Sequence, residues 1–516
     1  MTMKRSVLTL LLALCATITG AQTYLATDKS CYVAGDRIWC SVFSNPAEPV
    51  VYLELLSSEG PAARGRIALE QGRGGGSLQI PVGTPTGNYR LQAYTASDQP
   101  SEQSSAVVSV FNTLSTSRVA EGVDIVRSLP EQASVQTGYG LSAGSSGTLA
   151  LENTSGRELT LCVSLYRDDS LQPPAFHTIS GFRPAAAGAA PNRKGETVKA
   201  VLVGTDAAKV AEEAVLGNVD ALLGVPGGKT ACCVARPGAD GYVDFRTENI
   251  YGDVDVVCML RGIDAGTDCH LELVPPFVGG QAGNVPKLKL CPSQEADLVR
   301  RSAAMLSEAS SDTLVRTLPM HNDHFFLEHE CISYILDDYT RFPTMEELFV
   351  EITPNIKMRK RDGKYHIYLL KETSVYDAVP RWGDALTMID GVPVTDQDLI
   401  ASYDPALVKV VESYPYSYSL GGRNFDGVIN FVTFKGNMPG LSFDDNIRIY
   451  SFSGCSWPRA HCGSETLYWH PLVKLAPGER IEIPSEGMQK GVRYTLSAEG
   501  LTDGGRPVYL RKTFER

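Results

Sequence analysis

The densest run of ionisable side chains is His321-Asn322-Asp323-His324-Phe325-Phe326-Leu327-Glu328-His329-Glu330. Imidazoles and carboxylates packed this closely make a donor set for a divalent cation. The His-Glu-x-x-His spacing that stacks two imidazoles on one helical face is missing, and His321 and His324 precede the helix-like run near Leu327 to Tyr339. These residues read as a solvated, partly capping segment, and no metal ligand is assigned. Gly140-Leu141-Ser142-Ala143-Gly144 fits G-x-S-x-G, the elbow that exposes a hydrolase nucleophile between a strand and a helix. A Ser/Gly turn and a strand follow it here, so Ser142 is not expected to attack anything. Gly224-Val225-Pro226-Gly227-Gly228-Lys229-Thr230 has the ending of a phosphate loop, but Leu223 stands where its first glycine belongs, and it reads as a turn. Asp337 and Asp338, at a helix end, are expected to be structural. No catalytic residue, metal or cofactor is assigned, and the chain reads as non-enzymatic.

The elements that would position any site are mostly strands. In 516 residues, 48 Gly, 30 Pro and 22 Tyr favour short strands and turns over helical bundles. The length exceeds what one core serves, so three to five domains are expected. With 43% hydrophobic and 21% charged residues the chain is not a disordered polyelectrolyte. A formal charge of −12 without a long basic run makes nucleic acid a poor partner.

Residues 1–21 read as a signal peptide: Lys4 and Arg5, an apolar stretch from Val7 to Ala16, then Thr19 and Ala21 before Gln22. The apolar stretch falls short of the ~20 residues of a spanning helix. Leu14 before Cys15 argues against a lipoprotein signal, and no later segment is apolar enough to span a bilayer as a helix. Export to the periplasm or the outer membrane is the expectation. The cysteines beyond the leader are odd in number, so at least one stays unpaired. Cys31 and Cys40 flank an apparent hairpin and are a candidate disulfide; Cys455 and Cys462 flank a short loop in the same way, with buried thiols as the alternative for each.

Taken in order, residues 22–113 read as a β-sandwich. Thr27-Asp28-Lys29, Tyr32, Gly35-Asp36, Val51-Tyr52-Leu53-Glu54-Leu55, Gly76 to Pro81 and Gly87 to Thr95 together resemble the macroglobulin-type domain of alpha-2-macroglobulin-like chains. Residues 114–290 continue in β style, and Gly241-Tyr242-Val243-Asp244-Phe245 with Val254 to Leu260 is similar to immunoglobulin-like, carboxypeptidase-regulatory-like modules. Gly181 to Gly195 look like a linker. Residues 291–343 read as a helical bridge, with Ser293 capping a helix that carries Val299, Ala303 and Leu306 on one face. Thr344-Met345-Glu346-Glu347 reads as a capping box opening a helix to Ile352. Within 344–440, Leu386 to Val394 (LTMIDGVPV) and Tyr418 to Thr433 resemble the plug domain of TonB-dependent outer-membrane receptors. Residues 441–516 read as a C-terminal β-sandwich.

The fold class is therefore mainly β: tandem macroglobulin- or immunoglobulin-like sandwiches, a helical bridge and a small α/β plug-like domain. The resemblance implies an exported Gram-negative cell-envelope protein that binds or assembles at the outer membrane, its plug-like module being either a binding surface borrowed from the plug fold or a piece that docks with a separate barrel. Too few residues follow 440 for a barrel of about 22 strands, so the plug-like module is not expected to gate one in this chain. The candidate binding surface is Asp390-Gly391 and the loop Gly421, Gly422 to Gly427, where glycine permits close backbone approach; the alternative is that these glycines only make turns. A macroglobulin-like protease-interaction protein is the alternative. It would lack the thioester, because no Gln follows Cys462-Gly463-Ser464-Glu465. An enzyme with an unrecognised site is the third reading.

Overall fold

Strand Leu159–Arg167 has the sequence LTLCVSLYR, and eight of its nine residues are buried. A strand buried on both faces, with Leu159, Leu161, Val163 and Leu165 on one and Thr160, Cys162, Ser164 and Tyr166 on the other, needs a neighbour along each edge and a layer over each face. It pairs with Thr466–Leu475 on one side and Arg493–Thr502 on the other, both antiparallel and both from the far end of the chain. Residues 441–516 therefore do not form a sandwich of their own; the buried strand of the earlier segment requires theirs.

The computed structural model describes residues 23–516 apart from 45, 99–102, 116–122, 130–135, 145–147, 172–176, 183, 185–194, 228–231, 265, 316–330, 375–376, 381–384, 421–422 and 442–445. The signal peptide, most of the 181–195 linker, Lys229-Thr230 and the His321-to-Glu330 cluster lie outside the described residues. The described fold is mainly β, built as small sheets packed into sandwiches. Its α-helices are α1 Ala207–Val215, α2 Glu295–Val315, α3 Met345–Glu351 and α4 Gln397–Ala401.

The chain divides into two units. The first draws on Met1–Arg193, Phe277–Thr317 and Cys455–Arg516. Its leading sandwich has eight strands: β1 Tyr24–Thr27, β2 Cys31–Val33, β3 Arg37–Phe43, β4 Val50–Leu56, β5 Pro61–Ala68, β6 Arg73–Gln79, β7 Gly87–Tyr94 and β8 Ser104–Phe111. One sheet has the order β1-β3-β6 and the other β2-β8-β7-β4-β5. Leu25, Ile38, Val42, Leu53, Leu91 and Val110 fill the space between them. The second sandwich sets the five-stranded sheet around Leu159–Arg167 against Leu141–Gly144, Ala150–Asn153 and Arg480–Glu482. Ser142 of the G-x-S-x-G match sits mid-strand opposite Glu152, so the strand–elbow–helix geometry is absent there.

The second unit, Lys194–Pro276 and Leu318–Gly454, also holds two layered parts. A sandwich pairs Thr197–Val203 with Tyr242–Arg246 and His270–Val274, and sets Asp220–Gly224 and Asp253–Arg261 between Cys232–Ala235 and Arg448–Ser453. An α/β module carries Ile332–Ile335, Val408–Tyr414, Val428–Thr433, Leu386–Ile389 and Val392–Pro393 in one sheet, with α3 and α4 packed into the same core. Thr344 caps α3, its hydroxyl accepting from Glu347 N at 3.2 Å. The helix-like run near Leu327 to Tyr339 is different from expectation where it is described. Ile332–Ile335 is an edge strand antiparallel to Val408–Tyr414, and Leu336–Asp338 is a single 3-10 turn. Two β-branched isoleucines and a tyrosine in four residues favour the strand.

The proposed Cys31–Cys40 bridge is not formed. The turn at Ala34-Gly35-Asp36 exists, but it carries the chain from one sheet to the other. Cys31 lies on β2 beside β8 and Cys40 on β3 between β1 and β6. Facing sheets stand ~10 Å apart, beyond the ~4.4–6.8 Å between α-carbons that a disulfide spans. Cys455 is buried while Cys462 is exposed, and both are free. Cys462 donates its thiol hydrogen to the carbonyl of Leu467 at 3.0 Å. Burial pushes the Cys31 and Cys162 thiols up to about 12. Thiol titration of the unfolded mature protein should give the same count with and without reductant, and in the folded protein Cys31, Cys40 and Cys162 should be silent. A count that rises by two on reduction would contradict this arrangement.

Candidate functional site

The residues singled out for binding are folded inward. Asp390 and Gly391, at φ of 50° and 81°, form the mirror-image turn joining Leu386–Ile389 to Val392–Pro393. The Asp390 carboxylate is 4% exposed. It accepts from Thr433 N at 2.7 Å, Thr433 Oγ1 at 2.7 Å and Met438 N at 2.8 Å. Gly391 N donates to the side-chain oxygen of Asn430 at 3.0 Å. Gly427 is buried at φ 117°, and a Cβ there would stand 2.3 Å from Leu369 Cδ1. Asp390, Gly391 and Gly427 thus close the module's own core, because a buried carboxylate must spend its lone pairs on nearby donors. They present no surface, which corrects the expectation. Gly421 and Gly422 lie outside the described residues.

An accessible groove of about 650 Å³ lies instead in the first unit. One wall is α2, contributing Met305, Leu306 and Glu308. The other combines Arg37 and Trp39 of β3, Val82, Leu114 and the loop Arg459 to Cys462. Val82, Leu114 and Leu306 are 62%, 48% and 51% exposed, so the groove offers water an apolar side. The stripe Val299-Ala303-Leu306 read from the sequence is therefore the outer face of α2; its inner face carries Arg301 and Met305.

Aromatic stacking shapes the polar end. The buried Trp39 indole stacks on His461 at 4.5 Å between centroids and packs beside Trp469 at 5.3 Å. The guanidinium groups of Arg37 and Arg459 lie 5.7 and 5.3 Å from the Trp39 ring, within cation–π range. Paired backbone bonds between His461 and Trp469, 2.9 and 2.8 Å, hold the loop in place. Two glycines allow the close approach of α2. A Cβ on Gly35 would meet Met305 Sδ at 2.9 Å, and one on Gly463 would meet Glu308 Oε1 at 2.2 Å.

Glu308 accepts from Ser464 N at 3.2 Å and stands 3.8 Å from His461 Nε2. Burial raises the Glu308 carboxyl above its ordinary value. Burial also lowers the His461 imidazole to about 4, so it is neutral at pH 7 and the contact is not an ion pair there. Behind them Lys29, 7% exposed, bridges Asp28 at 3.3 Å and Asp36 at 3.2 Å. Among the described residues no group of three or more His, Cys, Asp and Glu is arranged to hold a metal ion. The arrangement can bind an apolar side chain against Val82 and Leu306 and an anionic group near the two guanidinium groups.

Trp39, Glu308 and His461 were not singled out from the sequence. They are brought together from β3, α2 and a loop over four hundred residues downstream, and no local pattern marks that meeting.

No protein-family model matches the chain, and no curated protein matches it. Among solved structures it is similar to a point mutant of Salmonella alpha-2-macroglobulin (9% identity, TM-score 0.15, 95% of this chain and 23% of that one). It is similar too to the Salmonella protein reacted with methylamine (10%, 0.15, 96% and 23%) and to Escherichia coli alpha-2-macroglobulin activated by porcine elastase (9%, 0.16, 96% and 31%). The chain spans less than a third of the length of each, and likenesses at these TM-scores carry no argument about what it does.

The neutral, partly buried His461 sets a pH dependence. Its native pKa lies below the unfolded 6.5, so the unfolded chain takes the proton first as pH falls. The stability it contributes is complete above pH 6.5, drains away between 6.5 and about 4, and changes no further below. Melting temperature measured across that window should fall less steeply in His461→Gln than in the parent. Parallel curves would show that His461 is not held neutral.

Proposed function

We propose that the protein is a non-enzymatic protein of the cell envelope, exported by its leader, that binds or assembles with another envelope protein. The observation that carries this reading is the groove along α2: an exposed apolar wall of Val82, Leu114 and Leu306 beside the Arg37–Trp39–Arg459 stack. Its occupant in this reading is a polypeptide segment presenting an apolar side chain next to a carboxylate. The titratable groups behind it support a scaffold, since Lys29, Asp28, Asp36 and Ser464-bound Glu308 are engaged in joining elements. A separate outer-membrane barrel is the partner class that the plug-like resemblance of residues 344–440 implies.

The second reading, a macroglobulin-like protease-interaction protein, draws on the two-sheet leading sandwich. Such a protein would work by non-covalent capture, because Cys462 carries no thioester partner in Cys462-Gly463-Ser464-Glu465.

Affinity capture from envelope fractions compares the parent with Leu306→Glu in the groove and Val278→Glu, exposed in the same unit away from it. One protein retained by the parent and the Val278 variant but lost with Leu306→Glu is the expected result. Equal retention by all three would remove the groove as the contact surface. Incubation with a protease separates the second reading: capture of active protease after cleavage would replace the envelope-partner function, whereas simple digestion is expected.

A further inference from the structure

In the second unit, strands Ile356–Arg361 and Lys364–Ser374 form a hairpin closed by Asp362 and Gly363 at φ of 52° and 85°. The register sets Lys357 opposite Tyr368, Arg359 opposite His366 and Arg361 opposite Lys364. Directly opposed residues share a face of an antiparallel ladder, as do residues two apart on one strand. Lys357, Arg359, Arg361, Lys364, His366 and Tyr368 therefore lie on one face. The opposite face holds Ile356, Ile367 and Leu369, each fully buried in the module core. That burial fixes the register, because a one-residue slip would put the cations in the core.

The outer face is cationic. Arg359, Arg361 and Lys364 are exposed. Among the described residues no carboxylate lies within ion-pair distance of Lys357, Arg359, Lys360, Arg361 or Lys364. The chain as a whole carries −12. Like charges placed directly opposite destabilise a hairpin, and Arg361 faces Lys364 at its closing pair. Positive charge on an edge strand can serve to block edge-to-edge pairing, which would account for Ile356–Arg361. It does not account for Lys364 and His366, which sit on the other strand, where the side chains of Asp398 and Gln397 accept from the amides of Tyr365 and Ile367 at 2.7 and 2.6 Å and cover the edge; Asp377–Pro380 pairs with that strand only from Leu370 onward. One ring accompanies the cations on this face: the Arg359 guanidinium lies 5.6 Å from the Tyr368 centroid, while the Lys360–Tyr365 pair, at 5.0 Å, lies on the other face near the turn.

We propose that this face docks on an anionic phospholipid surface, its cations meeting lipid phosphates. Successive cations along one strand stand about 7 Å apart, and the cross-strand pair is about 5 Å apart. A single phosphate reaches at most two of them, whereas laterally mobile head groups can meet all four at once. Tyrosine beside basic residues suits the head-group level, where an amphipathic ring has both a wet and an apolar neighbour. The inference needs only the hairpin's own charges and does not depend on the groove in the first unit.

Co-sedimentation of the full chain with phosphatidylglycerol–phosphatidylethanolamine vesicles, against phosphatidylcholine vesicles, tests it. The parent should bind the first and not the second, with binding that weakens as salt is raised. Each basic residue near such a surface strengthens binding roughly fivefold, so Arg361→Ser with Lys364→Ser should lose on the order of 25-fold. The melting temperature of that variant should equal or exceed the parent's, because a like-charge pair is removed. Lys357→Ser with Arg359→Ser gives an independent second pair with the same expected loss. Absent binding to anionic vesicles, binding that either pair leaves unchanged, or capture on polyglutamate with vesicles ignored would each overturn the proposal, the last in favour of an acidic protein partner.

Discussion

Arg301 carries a guanidinium only 5% exposed, and a charge so placed must be matched or the fold around it does not form. Its Nε and Nη2 donate to the two oxygens of Asp169, itself 2% exposed, at 2.7 and 3.0 Å. Its Nη1 donates to the carbonyl of Cys31 at 2.6 Å. Next to it Arg300 reaches the same Asp169 at 2.7 Å, Asp297 at 3.1 Å and Glu465. Four segments of the first unit meet on these two arginines: β2, the end of strand Leu159–Arg167, α2 and the turn before Thr466–Leu475. Removing one member of a buried pair typically costs about 3–5 kcal/mol, whereas exchanging both for apolar groups can be neutral. The network is therefore better understood as fixing where α2 lies than as a source of net stability.

A second buried carboxylate does the same for the two sandwiches of that unit. Asp28, fully buried, accepts from Tyr32 Oη at 2.8 Å, Trp39 N at 3.2 Å and Thr466 Oγ1 at 2.7 Å. Its backbone carbonyl accepts from Ser164 Oγ at 2.7 Å. β1, β3, Leu159–Arg167 and Thr466–Leu475 are thus tied at one residue. The groove lies against these ties: Trp39 is stacked by a loop that leads into Thr466–Leu475, and Leu306 faces out because Arg301 and Met305 face in.

The strands were legible because alternation and turn chemistry are local. The Thr344 cap, the Asp390-Gly391 turn and the leading sandwich can all be read within a dozen residues. Partnership between segments was not legible. Leu159–Arg167 announces one apolar face, but not that its other face is buried too or that its neighbours lie three hundred residues away, so a sandwich closed from both ends was read as two. Cys31 and Cys40 look like hairpin partners, because a turn that crosses between sheets has the same residues as one that stays within a sheet. Asp390 was picked out for the right turn and the wrong reason: an Asp-Gly at the surface and one whose carboxylate caps Thr433 and Met438 share a sequence. The stripe Val299-Ala303-Leu306 suggested which face of α2 is apolar; that charge would be buried and this face left to solvent depends on Asp169 and Glu465. The basic hairpin is visible as Lys357-Met358-Arg359-Lys360-Arg361, yet the net negative charge of the chain conceals it in any overall count.

If the Arg301–Asp169 pair positions α2, amide hydrogen exchange in Asp169→Asn is the most direct reading of it. The substitution keeps the shape and removes the charge that two guanidinium groups share. The account predicts that amides of α2 exchange much faster than in the parent, while those of β3, β4 and β7, inside the leading sandwich, keep their protection. Unchanged protection of α2 would contradict the account, since the helix would then be held by its apolar contacts alone.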